Sequence, residues 1–249
     1  MSILISQQIL NFLKDNKVCK IADIQKQLKL TQPTLRRHLI KLEEEHLVRR
    51  SFGEVVLENN NNLYLSDRDT NVKLTQDVKA KKAIAKMAST FASQANDIFV
   101  DNGSNCFFLI DYLKNHQGLQ IFTNSLLNAQ HALELGFNVR LLGGTLKPNT
   151  KCIVDLDPDT LLRQNFDVCF LGVNAIGNNY KLTTPERREG IVKTQMALRS
   201  KKVLILAEAS KFGLSANYDF TPKDTDINLV TNKPDLKNNK LTKIIFVRE

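Results

Sequence analysis

The stretch Asp101-Asn102-Gly103-Ser104-Asn105 follows the apolar run at residues 98–100 and leads into a helical pattern. A strand, a glycine turn and a helix in that order present backbone amides and the positive end of a helix dipole, which suits phosphate. Gly103 frees the backbone to approach a ligand, and Ser104 and Asn105 add side-chain donors. Glu189 and Lys193 are four apart and share one helical face, a spacing that serves a solvated surface pair equally well. Near the start of the chain, Arg36 and Arg37 head a different kind of chemistry, since arginine can grip guanine O6 and N7 with two parallel hydrogen bonds.

The elements needed to hold those arginines are legible around them. Ile9, Leu10 and Leu13 make one face of a first helix, and Ile21, Ile24 and Leu28 one face of a second. Thr31 is placed to cap a third, over residues 32–46, with Leu35, Leu39 and Leu42 on its inner face. Arg37 then lies opposite that apolar stripe, flanked by Gln32, Thr34, Arg36 and Lys41. Residues 47–57 read as two short strands around Gly53, a wing that places Arg49 and Arg50 for phosphate contact. A winged helix-turn-helix is expected over 1–57, with its third helix in the major groove of double-stranded DNA.

Residues 58–75 are polar and rich in Asn and Asp, and read as a linker. Residues 76–249 form the second domain. Seven β-rich runs, starting near residues 98, 119, 138, 166, 202, 227 and 243, alternate in most cases with helical stretches. Continuous apolar strands separated by helices imply an α/β domain with a mostly parallel sheet covered on both faces, and ligands bind such sheets at the carboxyl ends of the strands.

The 249 residues carry a net charge of +9, which favours polyanionic partners. Four scattered cysteines without a metal-ligand spacing argue against a zinc site and for a reducing cytosol. Cys106 and Cys169, among apolar residues, read as core. The N-terminus has no signal-peptide pattern and no apolar run is long enough to span a bilayer, so a cytoplasmic protein without membrane association is expected.

The segment TQPTLRRHLIKLEEEHLVRR resembles the signature of the DeoR family of sugar-metabolism regulators. It departs at His38, where the family has Asp, and at residues 51–54. The resemblance continues through VDNGSN, IFTNSLLNA, VRLLGGTLKPNT, FDVCFLGVNAI, LTTPERREGIVK and LAEASKFG, with Asn105 standing for Thr and Glu208 for Asp.

It implies a sugar-phosphate isomerase/CoA-transferase-like effector domain. Its pocket would be formed by Asp101, Gly103, Ser104, Asn105, Asn124, Ser125, Gly172, Asn174, Thr184, Glu189, Lys193 and Lys211. Lys211 would face the ligand phosphate. The function implied is a repressor of a carbohydrate-utilisation operon that binds operator DNA as a homodimer or homotetramer and is released by a phosphorylated sugar. It would need no cofactor, no metal and no catalytic residue. An activator of the same architecture uses the same residues. A sugar-phosphate isomerase with an appended DNA-binding module is the enzymatic alternative, with Glu189 its only candidate base.

Overall fold

The computed structural model of the chain describes residues 2–15, 18–44, 47–51, 53–57, 63–64, 73–114, 118–157, 164–223 and 225–248. The chain divides into two units, Met1–Ser66 and Asp67–Glu249.

The first unit contains helices α1 (Ser2–Asp15), α2 (Ile21–Gln27) and α3 (Gln32–Glu44). Its antiparallel sheet has strands β1 (Val18–Lys20), β2 (Val48–Ser51) and β3 (Glu54–Leu57), in the order β1-β3-β2. The hairpin around Gly53, whose φ is 82°, is the expected wing. Strand β1 was not foreseen; three residues between two helices give no periodicity to read. Ile9, Leu13, Ile24, Leu35, Leu39, Leu42, Val48 and Val55 are packed in one core, so the helical spacing of the leucines is what joins α3 to its neighbours.

In the second unit, α4 (Val78–Ser89) precedes an alternation of strands and helices: β4 (Asp97–Val100), α5 (Ser104–Asp111), β5 (Gln120–Thr123), α6 (Leu126–Glu134), β6 (Asn138–Leu141), β7 (Phe166–Gly172), α7 (Arg187–Leu198), β8 (Ser200–Ala207), β9 (Ile227–Thr231) and β10 (Thr242–Phe246). Among the described residues these seven strands form one sheet in the order β10-β9-β8-β7-β4-β5-β6, parallel throughout. Alternate side chains of one strand enter different cores. Val168 and Phe170 of β7 pack with Ile84, Leu109 and Ala132 of α4–α6, whereas Cys169 and Leu171 pack with Val192 and Met196 of α7. Both faces are therefore covered, and the continuous apolar runs follow. Of the predicted linker, residues 58–62 and 65–72 lie outside the described residues.

The strand order reverses between β4 and β7. After β4 the chain moves outward through β5 and β6, then returns to pair β7 with the other side of β4. Such a reversal opens a crevice beyond the carboxyl ends of the two strands. At the opposite end, Asp167 of β7 accepts the amides of Asn96 at 2.8 Å and Asp97 at 3.2 Å, and Lys201 Nζ at 2.8 Å.

Lys201 and the Asn96 amide depress the Asp167 carboxyl to a pKa of about 2. A depressed folded pKa contributes stability above the unfolded value of about 3.9, which is lost as pH falls through the folded value. Asp167→Asn should therefore lower the urea midpoint at pH 6, with the deficit against wild type closing between about pH 4 and 2. A deficit independent of pH would refute the assignment.

Candidate functional site

In the first unit, Gln32, Arg36, Arg37 and Lys41 are exposed along α3 and Thr34 is half-buried, while Leu35, Leu39 and Leu42 are buried behind them. The Thr31 carbonyl accepts the Leu35 amide at 3.0 Å, and the Thr31 hydroxyl donates to that of Thr34 at 2.9 Å. His38 is buried, its Nδ1 bonded to Ser6 Oγ of α1 at 2.8 Å. Burial, with the charges of Arg37 and Lys41 added, holds its pKa below the usual histidine value, so it ties α3 to α1 as a neutral ring.

Arg50 departs from expectation. Its Nε donates to Glu43 Oε2 at 2.7 Å, Nη2 reaches the same oxygen, and its backbone amide donates to Glu43 Oε1 at 2.9 Å. The guanidinium expected on DNA phosphate thus fastens β2 to α3, because one oxygen of a carboxylate seven residues away takes both of its nitrogens and the other takes the backbone amide. The side chain of Arg49 lies outside what the structure describes.

In the second unit, a cleft lies at the reversal point. Gly103, Ser104, Asn105, Gly172, Asn174, Glu189, Lys193 and Lys211 line it, joined by Lys73, Asn102, Val173 and Glu208. The turn after β4 and the turn after β7 supply facing walls, and a Cβ built on Gly103 would lie 3.7 Å from Gly172 Cα. Gly103 has φ 171°, extended backbone open to any residue, and a Cβ there would meet Gly172 at an ordinary contact distance.

The remaining predicted residues stand behind the lining. Asp101 is 1% exposed; its Oδ2 accepts the Gly172 amide at 2.9 Å and the Lys193 ammonium, which also donates to the Gly172 carbonyl at 3.0 Å. Burial works against the Lys193 ammonium, but the Asp101 carboxylate outweighs it and holds the pKa above the ordinary lysine value. Asn124 Oδ1 accepts the Asn102 amide at 3.1 Å and its Nδ2 donates to the Ile153 carbonyl at 3.2 Å, shaping the turn. Ser125 is fully buried and caps α6, accepting the Asn128 amide at 3.3 Å. The Thr184 hydroxyl donates to Asn174 Oδ1 at 3.1 Å. Asp101, Asn124 and Thr184 thus hold groups that line the cleft, and Ser125 the start of α6, through partners that are in part distant side chains.

Glu189 and Lys193 do share a face of α7, and both are buried. They are bonded to different partners. Glu189 Oε1 meets Lys147 Nζ and lies 3.3 Å from both Thr150 Oγ1 and Cys152 Sγ, and Lys147 also reaches Glu186. Burial opposes the Lys147 charge, yet the two glutamates keep its pKa above the usual range. Glu208 meets Lys81 of α4 at 2.6 Å, and despite burial the charges of Lys211 and Lys81 hold its carboxyl below the usual range. Lys81, Lys147 and Thr150 were missed by sequence reasoning, since buried lysines at unrelated positions carry no local signal. Gly190 was missed as well: a Cβ there would lie 2.0 Å from the Tyr218 ring, so glycine is what lets α7 lie against that residue.

An anion-suited cleft at the switch point of a parallel sheet, carried on a chain with a winged helix-turn-helix, defines a ligand-sensing transcription regulator. Residues 76–233 match the family model described as the DeoR C-terminal sensor domain, and residues 7–50 match that of the bacterial regulatory protein arsR family. The first match spans more than half of the chain, and the chain belongs to the DeoR family. It is 29% identical over 208 residues to the HTH-type transcriptional regulator GlpR of Haloferax volcanii, covering 83% of this chain and 80% of that protein. It is 26% identical over 212 residues to the glycerol-3-phosphate regulon repressor of Escherichia coli (strain K12), covering 84% and 82%. Among solved structures, ribose 5-phosphate isomerase from Plasmodium falciparum is similar with 19% identity, a TM-score of 0.40, and coverage of 53% of this chain and 52% of that one. Among the described residues no helix is long and apolar enough to cross a membrane.

Removing one partner of a buried ion pair strands the other's charge. Lys193→Met should cost about 3–5 kcal/mol in urea unfolding, and Asp101→Asn in the same chain should restore most of it. A single variant as stable as wild type would show that Asp101 needs no counter-ion.

Proposed function

We propose that the protein is a DNA-binding transcriptional repressor of a carbohydrate-utilisation operon, acting in the cytoplasm and released from its operator by a phosphorylated sugar. The observation that carries this reading is the pairing of two chemistries on one chain. One unit exposes Arg36 and Arg37 on a helix whose other face is core. The other lines a cleft with Gly103, Ser104 and Lys211 at the start of a helix, where backbone amides suit an anion. The repressor named among its relatives supports the sign of regulation.

Recognition of a palindromic operator calls for a homodimer or homotetramer, whose paired winged helices meet two half-sites. Release requires the sugar phosphate to bind the DNA-incompetent arrangement the more tightly, by a few kcal/mol for a useful switch. Glu189, the only carboxylate nominated as a catalytic base, is held by Lys147, Thr150 and Cys152, and the relatives are regulators rather than enzymes.

Melting of the full chain against a panel of sugar phosphates and their unphosphorylated parents tests the ligand. A phosphate at about 100 times its dissociation constant should stabilise the fold by roughly 2.7 kcal/mol, and the parent should not. Gel-shift titration on an operator selected with the wild-type protein tests the DNA contact. Arg37→Ala should lose operator-specific binding, and unchanged affinity would refute the role of α3. Lys211→Ala should bind operator normally yet resist release by the sugar phosphate; a normal response would displace the phosphate from Lys211.

A further inference from the structure

The wing is fastened to the helices of its unit by two contacts that line a groove of about 370 Å³. At the tip, the Ile21 amide at the start of α2 donates to the Gly53 carbonyl at 3.0 Å. At the other contact, β2 is an edge strand of its sheet, and its Arg50 amide donates to Glu43 Oε1 at 2.9 Å rather than to β3. Glu43 stands in the last turn of α3, on the same side of the helix as Gln32, Arg36 and Leu39, which line the groove with it. Its second oxygen takes Arg50 Nε at 2.7 Å and Nη2 as well. One carboxylate therefore ties the edge of the wing to the side of α3 that carries Arg36.

A phosphate backbone ordinarily draws an arginine placed on a wing. Leaving Glu43 would cost Arg50 two charge-assisted bonds and bare a carboxylate on the DNA-reading helix. The pair is 30% and 34% exposed, so water and salt screen it only in part. The Arg50 donors hold the Glu43 carboxyl below the usual glutamate range, which keeps the pair charged at neutral pH.

We propose that Glu43 is a positioning residue for operator binding: it sets the wing against α3 through Arg50 and keeps that guanidinium off the DNA phosphates. The role rests on α3 being the helix that reads the operator. The pair then adds no net charge to the surface that meets DNA, and the wing contributes through its placement.

The test is fluorescence anisotropy of the full-length protein over a salt series on two labelled duplexes. One is an operator selected from random sequence by the wild type, the other a scrambled duplex of the same length. Each phosphate neutralised steepens the slope of log affinity against log salt by about 0.9. Glu43→Gln combined with Arg50→Gln removes the pair without changing net charge. That double variant should keep the wild-type slope, while its operator-to-scrambled affinity ratio falls by about fivefold. Glu43→Gln alone releases Arg50, so its slope should steepen by about 0.9 per bound wing and the scrambled duplex should be held more tightly. Should the double variant not fold, Arg50→Lys is read in its place, since it keeps one charged bond to Glu43 and forfeits the fork. Its slope should be unchanged and its ratio lowered. A double-variant slope shallower by about 0.9 per wing places Arg50 on phosphate in the wild-type complex and overturns the proposal. An undiminished ratio overturns it too, as does a wild-type slope in Glu43→Gln. Arg37→Ala on the same duplexes separates the two readings. If it keeps the wild-type ratio, α3 does not read the operator and both readings fall; if it loses the ratio while the clamp variants behave as wild type, only the role of Glu43 falls.

Discussion

A carboxylate taken almost wholly out of water must be met by a cation and by donors, or it will not stay ionised. Asp101 imposes that condition at the end of β4. The Gly172 amide and the Lys193 ammonium meet it, and each comes from a different element: the end of β7 and the middle of α7. Lys193 also holds the Gly172 carbonyl, so one ammonium fixes both strand ends at the point where the sheet order reverses. The near contact of Gly103 with Gly172 follows, and with it the width of the cleft. Helix α7 must lie close enough to deliver Lys193, which is why position 190 has no room for a side chain beneath Tyr218.

The other charges of the site obey the same rule. Lys147 is held between Glu186 and Glu189, and Lys81 reaches Glu208 from α4. A cleft built from pre-paired charges presents an incoming anion with little uncompensated positive field. Attraction must then come chiefly from oriented amides at the start of α5 and from cations that can shift their allegiance, a combination that favours shape over charge alone.

The architecture was legible because its causes are local. Apolar runs mark most of the strands from β4 to β10, and Leu35, Leu39 and Leu42 fix the inward face of α3. The rim of the cleft was legible through the resemblance of its motifs. What each residue does there was not. Ser125 turned out to cap a helix and Thr184 to steady the Asn174 side chain, because the same hydroxyl can bind a ligand or another group of the protein, and only the fold decides. Arg50 was assigned to DNA on its position in the wing, yet Glu43 lay within reach of its fork. Lys81 and Lys147 were invisible because their partners lie far along the chain, and no periodicity reports a buried pair.

Asp101 and Lys193 are separated by 92 residues. At about 5–20 residues per second, a ribosome making this chain has roughly 5 to 18 s between releasing the carboxylate and releasing its counter-ion. Within that interval β5 and then β7 are made and can pair with β4, but the ammonium that ties the end of β7 to Asp101 does not yet exist. The pocket is therefore an all-or-nothing feature of the completed α7, and any truncation upstream of Lys193 yields a chain that can neither neutralise Asp101 nor close the crevice around a ligand.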